Sequence, residues 1–148
     1  MMTQYLTWMD ILETGIAEID ADHRQLVDEF NSLVTLTMVE GCRDDVIRGV
    51  ELMALHFQEH FRREEEIMRS HRFPRLQEHA DEHQYFNLAL KNALYESRHP
   101  GAPACSHLSL LKRLHVLFVE ILVRHDLDYK SHLLHESGTR VFMSVHVA

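Results

Sequence analysis

Four stretches of the chain repeat apolar residues at steps of three and four. In the first, about 16–39, Ile16, Ile19, His23, Leu26, Val27, Phe30, Leu33 and Val34 fall on one face. That is the period of an amphipathic helix. Glu40-Gly41 follows, and glycine commonly stops helices. The second, about 44–70, aligns Val46, Val50, Met53, Phe57, His60, Phe61, Glu64 and Met68. HRFP (71–74) closes it at Pro74, because the residue before a proline avoids the helical region. The third, about 75–97, aligns Leu76, His79, His83, Phe86, Leu90 and Leu94 before the breaker HPGAP (99–103). The fourth, about 106–134, carries Leu110, Leu111, Leu114, Leu117, Phe118, Ile121 and His125, with Gly138 beyond its end.

Four helices of similar length joined by short loops predict an all-α fold, an antiparallel up-down four-helix bundle. Residues 1–15 hold Tyr5, Leu6, Trp8, Ile11 and Leu12 without a long period and read as an N-terminal arm packed on the bundle. The tail, 138–148, alternates weakly and reads as extended or disordered. The 148 residues suit a single domain with a real core. Apolar residues at 45% and charged residues at 26% give a globular balance.

No basic stretch precedes an apolar run at the start, and no apolar run is long enough to span a bilayer. The expected location is therefore cytoplasmic. A net charge of -8 argues against nucleic acid and membrane surfaces as partners. The bundle topology brings Cys42 and Cys105 to one end, but a reducing compartment favours free thiols.

Histidine changes the picture. There are 13, and several stand on apolar stripes where a polar group needs a partner. Burying one unsatisfied costs roughly 2–7 kcal/mol. His60 and Glu64 are four apart, as are His79 and His83, so each pair shares a helix face. His56 extends the first pair backwards, as a supporting or rim residue. A content this high yields about one H-x-x-x-H pair by chance, so the spacing alone is weak. The arrangement is stronger: His23 on the first helix, His60 and Glu64 on the second, His79 and His83 on the third, Asp126 on the fourth, all facing inward. A metal satisfies such a set at once. Imidazole and carboxylate without thiolate suit Fe, Mn or Zn, and the number of donors favours two ions. The remaining charges of the run at 62–66 read as a solvated face.

Over about residues 8–133 the chain resembles the hemerythrins, in particular bacterial hemerythrin-like proteins. The resemblance is carried by Trp8, GIAEIDADHRQLVDEFNSL (15–33), HFRREEEIM (60–68) and FPRLQEHADEHQYF (73–86). It implies a non-haem, oxygen-bridged di-iron site that binds O2 reversibly. One iron would be held by His23 and His60. The other would be held by His79, His83 and a third histidine, with Glu64 and Asp126 bridging.

The fourth helix departs from the pattern. The family's H-x-x-x-x-D-x-x-Y places Asp126 and Tyr129 well, but its histidine falls on Ile121. A second register pairs Glu120 with His125. The first is preferred, because Ile121 stays on the apolar stripe while Glu120 turns away. In an α-helix His125 lies one turn after Ile121 and about 40° round the axis, so it leans toward the vacant place. Two readings stay open: His125 supplies the missing nitrogen, or the second iron keeps an open position. The expected function is a binding module for O2 storage, delivery or sensing, acting through a protein partner. The alternative is a di-iron redox enzyme that reduces peroxide, O2 or NO.

Overall fold

The computed structural model describes residues 5–9, 12–99, 101, 106–126, 128–129 and 131–132. The side chains of Ser106, Arg124, His125 and Asp126 lie outside the described residues, as do Cys105 and the whole of 133–148. The helices are α1 (Ala17–Leu36), α2 (Arg43–Ser70), α3 (Leu76–Arg98) and α4 (Ser106–Glu120). A π-helix, Ile121–Asp126, continues α4. No strand occurs among the described residues.

Side-chain pairs give the directions. Glu29 meets His56 across α1 and α2, and Leu33 lies against Gly49, so rising numbers on one helix meet falling numbers on the other. Glu51 pairs with Arg98 and Glu65 with His83 across α2 and α3. Glu96 pairs with Arg113 across α3 and α4. The Phe30 ring on α1 meets Phe118 on α4 at 6.4 Å, which closes an antiparallel four-helix bundle. Gly49 is a point of close approach: a Cβ there would stand 2.3 Å from a Leu33 methyl carbon.

Two apolar clusters form the core. The larger includes Leu26, Phe30, Val34, Val46, Val50, Phe57, Phe61, Phe86, Leu111, Leu114 and Phe118. The smaller is Ile19, Met68, Phe73 and Tyr129. On each of the first three helices the ionisable residues of the stripe lie between members of the two clusters. Each fully buried large side chain contributes roughly 1.5–3 kcal/mol. The polar layer between them is a cost to folding unless its members are satisfied.

α2 ends at Ser70, as the sequence predicts, and its stop is built just ahead of Pro74. Phe73 N–H donates to Met68 O at 3.0 Å, and Arg72 N–H to Arg69 O at 3.1 Å. Arg72 has φ 55. This is a Schellman stop, with Phe73 folded back on Met68 in the smaller cluster. α1 ends at Leu36 rather than near 39, where Thr37, Met38 and Val39 turn back onto carbonyls three residues earlier.

The arm is tied down at two places. Leu6 exchanges both backbone bonds with the Asn31 amide, each 2.8 Å. Buried Asp20 accepts from Thr14 N–H at 2.7 Å, its hydroxyl at 2.9 Å and Gly15 N–H at 3.1 Å. Trp8 packs against the larger cluster with the Arg24 guanidinium 5.1 Å from its ring. Ile11 lies outside the described residues. No described helix is long and apolar enough to cross a membrane.

Candidate metal centre

One helical turn separates His60 from Glu64 and His79 from His83, so α2 and α3 each point two donors inward. α1 adds His23. None of the five is more than 3% exposed.

They assemble into two groups that share Glu64. In the first, His23 Nε2 and His60 Nε2 stand 2.9 Å apart. Glu64 Oε2 is 3.0 Å from the His60 nitrogen and 3.4 Å from the His23 nitrogen. In the second, Glu64 Oε1 is 3.3 Å from His83 Nε2, and one donor atom each of Glu64, His79 and His83 lie within 4.8 Å of one another. Aromatic rings fix the second group. Phe61 stacks on His83 at 4.0 Å and 8°, and Phe73 meets His79 edge-on at 4.9 Å. Phe57, Phe86 and Phe118 continue this wall with ring separations of 4.5 and 5.0 Å.

An outer layer of carboxylates takes the opposite ring nitrogens. His60 Nδ1 donates to Asp22 Oδ2 at 3.1 Å, and Arg63 Nε donates to the same oxygen at 2.9 Å. His83 Nδ1 donates to Glu65 Oε2 at 2.8 Å. Such bonds set the tautomer and leave Nε2 as the donor toward the centre. The field is tuned in the same sense. Burial works to raise the Asp22 carboxyl, but bonds from His60 and Arg63 bring it down to about 2. Burial works to lower His60, yet the charge of Glu64 and the bond to Asp22 raise it above its ordinary value. Complete burial works to raise the Glu64 carboxyl, and the imidazoles of His60, His23 and His83 hold it well below the usual range. The site thus favours a negative carboxylate and a positive charge at the imidazoles, whether carried by a proton or by a cation.

Do these residues fit a metal? Donors at about 2.0–2.2 Å from one ion, at angles between right and tetrahedral, are about 2.8–3.6 Å from each other. The first group's three edges match this spacing. Both Glu64 oxygens are buried without a partner in hydrogen-bonding geometry; the imidazoles crowd the carboxylate without lining up as donors to it. Leaving a buried carboxylate so is expensive, and a cation in each group would satisfy one oxygen. The residues fit.

Of the sequence-predicted site residues, the structure brings together His23, His60, Glu64, His79 and His83. The side chains of Asp126 and His125 lie outside the described residues. Ile121, at the expected histidine position, is buried in the larger apolar cluster. The backbone there differs from the expectation. The fourth helix is not α-helical to about 134, since its turn at 121–126 is π. Hydrogen bonding to the fifth residue widens the turn relative to an α-helix. The 40° angle between Ile121 and His125 belongs to an α-helix and does not apply here.

His56 pairs with Glu29 at 2.7 Å, half exposed, and joins neither group. Three contributors are absent from the sequence reading. Asp22, Arg63 and Glu65 hold the donors, although the run at 62–66 reads as solvated. Asp22 and Glu65 each neighbour a donor in the chain, and that adjacency was the available signal. His71, read as a loop residue, hydrogen-bonds the hydroxyl of buried Tyr129 at 2.9 Å. Burial and the Glu64 charge raise the Tyr129 phenol above its ordinary value. At the other end of the bundle, Cys42 is a buried free thiol 3.6 Å from His107 Nε2; its expected neighbour Cys105 lies outside the described residues.

No curated protein and no solved structure matches the chain at a significant level. The sequence model of the hemerythrin HHE cation-binding domain matches residues 14–134. Since that match takes in the four helices and every donor brought together at the centre, the chain belongs to the hemerythrin HHE cation-binding family.

Proposed function

We propose that this hemerythrin-like metal-binding protein is a non-haem di-iron protein that binds O2 reversibly, for storage, delivery or sensing. The observation that carries the reading is one fully buried carboxylate, Glu64, shared by two sets of imidazoles. Nitrogen and oxygen donors without thiolate suit iron, and the family resemblance favours two iron ions. When bound, such a pair supplies the electrons that O2 takes up and returns.

The chain's own residues do the rest. His23 and His60 hold one position, His79 and His83 the other, and Glu64 joins them. Asp22 and Glu65 keep the imidazoles turned inward with Nε2 available. Phe57, Phe61 and Phe86 keep water from the layer, which protects a reduced centre from losing its electrons to solvent-borne species. The buried Tyr129 phenol remains protonated.

The test is anaerobic reconstitution with Fe2+, followed by air and then argon. The expected result is about two irons per chain, a charge-transfer band that appears with O2, and its loss under argon. Less than about one iron per chain, or no such band, overturns the reading.

A second reading is favoured by Ile121. An apolar side chain where the family resemblance places a histidine leaves the second position poorer in nitrogen donors, which suits redox turnover. The O2-induced band should then decay faster than in a five-histidine site. A lifetime of many hours counts against this. Reduction of peroxide or NO well above that by free iron would establish the enzyme instead of the carrier.

A further inference from the structure

We propose that the cavity between α1 and α2 is the route by which divalent cations reach the first donor group, a role that rests on the metal-centre reading above. The cavity holds about 200 Å³, room for an ion with several of its waters. Gln25 and Glu59 stand exposed along it, and His60, one of the donors, is buried in its lining. It therefore connects solvent with the back of the first group. Two other cavities, between α2 and α3 and between α3 and α4, touch none of the five donors. Rings of Phe57, Phe61, Phe73 and Phe86 line the second group, and an apolar wall does not pass a hydrated cation.

The lining selects positive charge. Asp22, Glu29 and Glu59 bring three carboxylates against the guanidinium of Arg63. Such an excess concentrates cations at a cleft and speeds their arrival. Arg63 is engaged by Asp22 at 2.9 Å and Glu59 at 3.2 Å. Glu29 instead has its Oε1 2.7 Å from His56 Nδ1. Neither that nitrogen nor the buried Oε2 of Glu29 has a partner in hydrogen-bonding geometry. A carboxylate and an imidazole this close, one from each helix, suit the capture of an ion. Among the described residues no third donor joins them, whereas each group at the centre has three. Glu29 and His56 therefore hand an ion on and do not keep it. Asp22 takes the inner position. Its Oδ2 accepts from His60 Nδ1, and the opposite nitrogen of that ring belongs to the first group. One imidazole ring separates an ion at Asp22 from its destination, and opening the bond to Asp22 frees the ring to let the ion past.

The experiment is stopped-flow loading of the metal-free full chain with Co2+, followed by release to excess EDTA. The phase that His23→Ala removes marks the first group. Gln25→Trp, which fills the cavity, should slow loading of that group at least ~10-fold, within the range by which clefts govern on-rates. Release should slow by the same factor, so affinity stays within about twofold, as for a path that both directions share. Glu29→Gln should load about threefold more slowly at low salt, with the difference lost near about 0.5 M salt. Leu88→Trp, in the cavity between α2 and α3, should load as the wild type does. The proposal is overturned if Gln25→Trp or Glu29→Gln loads at the wild-type rate, or if Leu88→Trp slows loading equally. It is also overturned if Gln25→Trp weakens affinity, which would make the lining part of the bound state. Should Gln25→Trp fail to fold, Glu29→Gln alone decides. A wild-type chain that takes no Co2+ sinks the metal-centre reading itself, a separate failure visible before any variant is made.

Discussion

The two donor groups are built from different material. The first comes from α1 and α2, long regular helices, and its three donor atoms lie 2.9–3.4 Å apart. Asp22 and Arg63 brace it from behind. The second comes from α2 and α3. Its Glu64–His83 edge is 3.3 Å, and two aromatic rings join the Glu65 carboxylate in holding it, where the first has a carboxylate and a guanidinium. Regular helices carry a donor set by periodicity alone. A turn with an extra residue makes the geometry depend on where that turn falls.

The strongest way to break the contrast is to remove what the groups share. Glu64→Gln should reduce bound metal from two ions to below about one per chain, read by elemental analysis. Removing one donor should separate the groups. His23→Ala is expected to lose the first ion and keep the second, and His83→Ala the reverse, in a chelator-competition titration. Loss of both in either variant would show a single site. Asp22→Asn should weaken the first ion by ~10–100-fold through loosening of the His60 ring and leave the second unchanged; an equal effect on both would erase the asymmetry. The smallest effect concerns the turn beneath the second group. Arg72→Gly should raise stability by about 0.5–1 kcal/mol, because relief of the positive φ exceeds the added freedom of the unfolded chain. Urea denaturation of the chelated protein measures it, and a loss of stability would mean that the Arg72 side chain matters more than its backbone.

Much of this was legible in the sequence. His23, His60, Glu64, His79 and His83 stand on apolar stripes at helical spacing, and regular α-helices deliver them to one layer as the period requires. The parts that were not legible depend on interhelical geometry. Asp22 looks like one acidic residue among several until α1 and α2 are packed and its carboxylate meets His60 and Arg63. Arg63 and Glu65 belong to a run of charges whose period does not single them out. The fourth helix misleads because angles drawn from Ile121 to His125 assume an α backbone, and nothing in EILVRHDLDY announces a π turn. The end of α2 near residue 70 was legible from HRFP, but the left-handed Arg72 that makes the stop was not.

α2 makes a contribution unlike that of the other helices. Along two turns it supplies a donor to the first group in His60, the shared carboxylate in Glu64, the stacking plate of His83 in Phe61, and the braces Arg63 and Glu65. These parts are fixed to one stiff rod. Their spacing from one another is set by that helix, whereas their spacing from His23, His79 and His83 is set by how α1 and α3 pack against it.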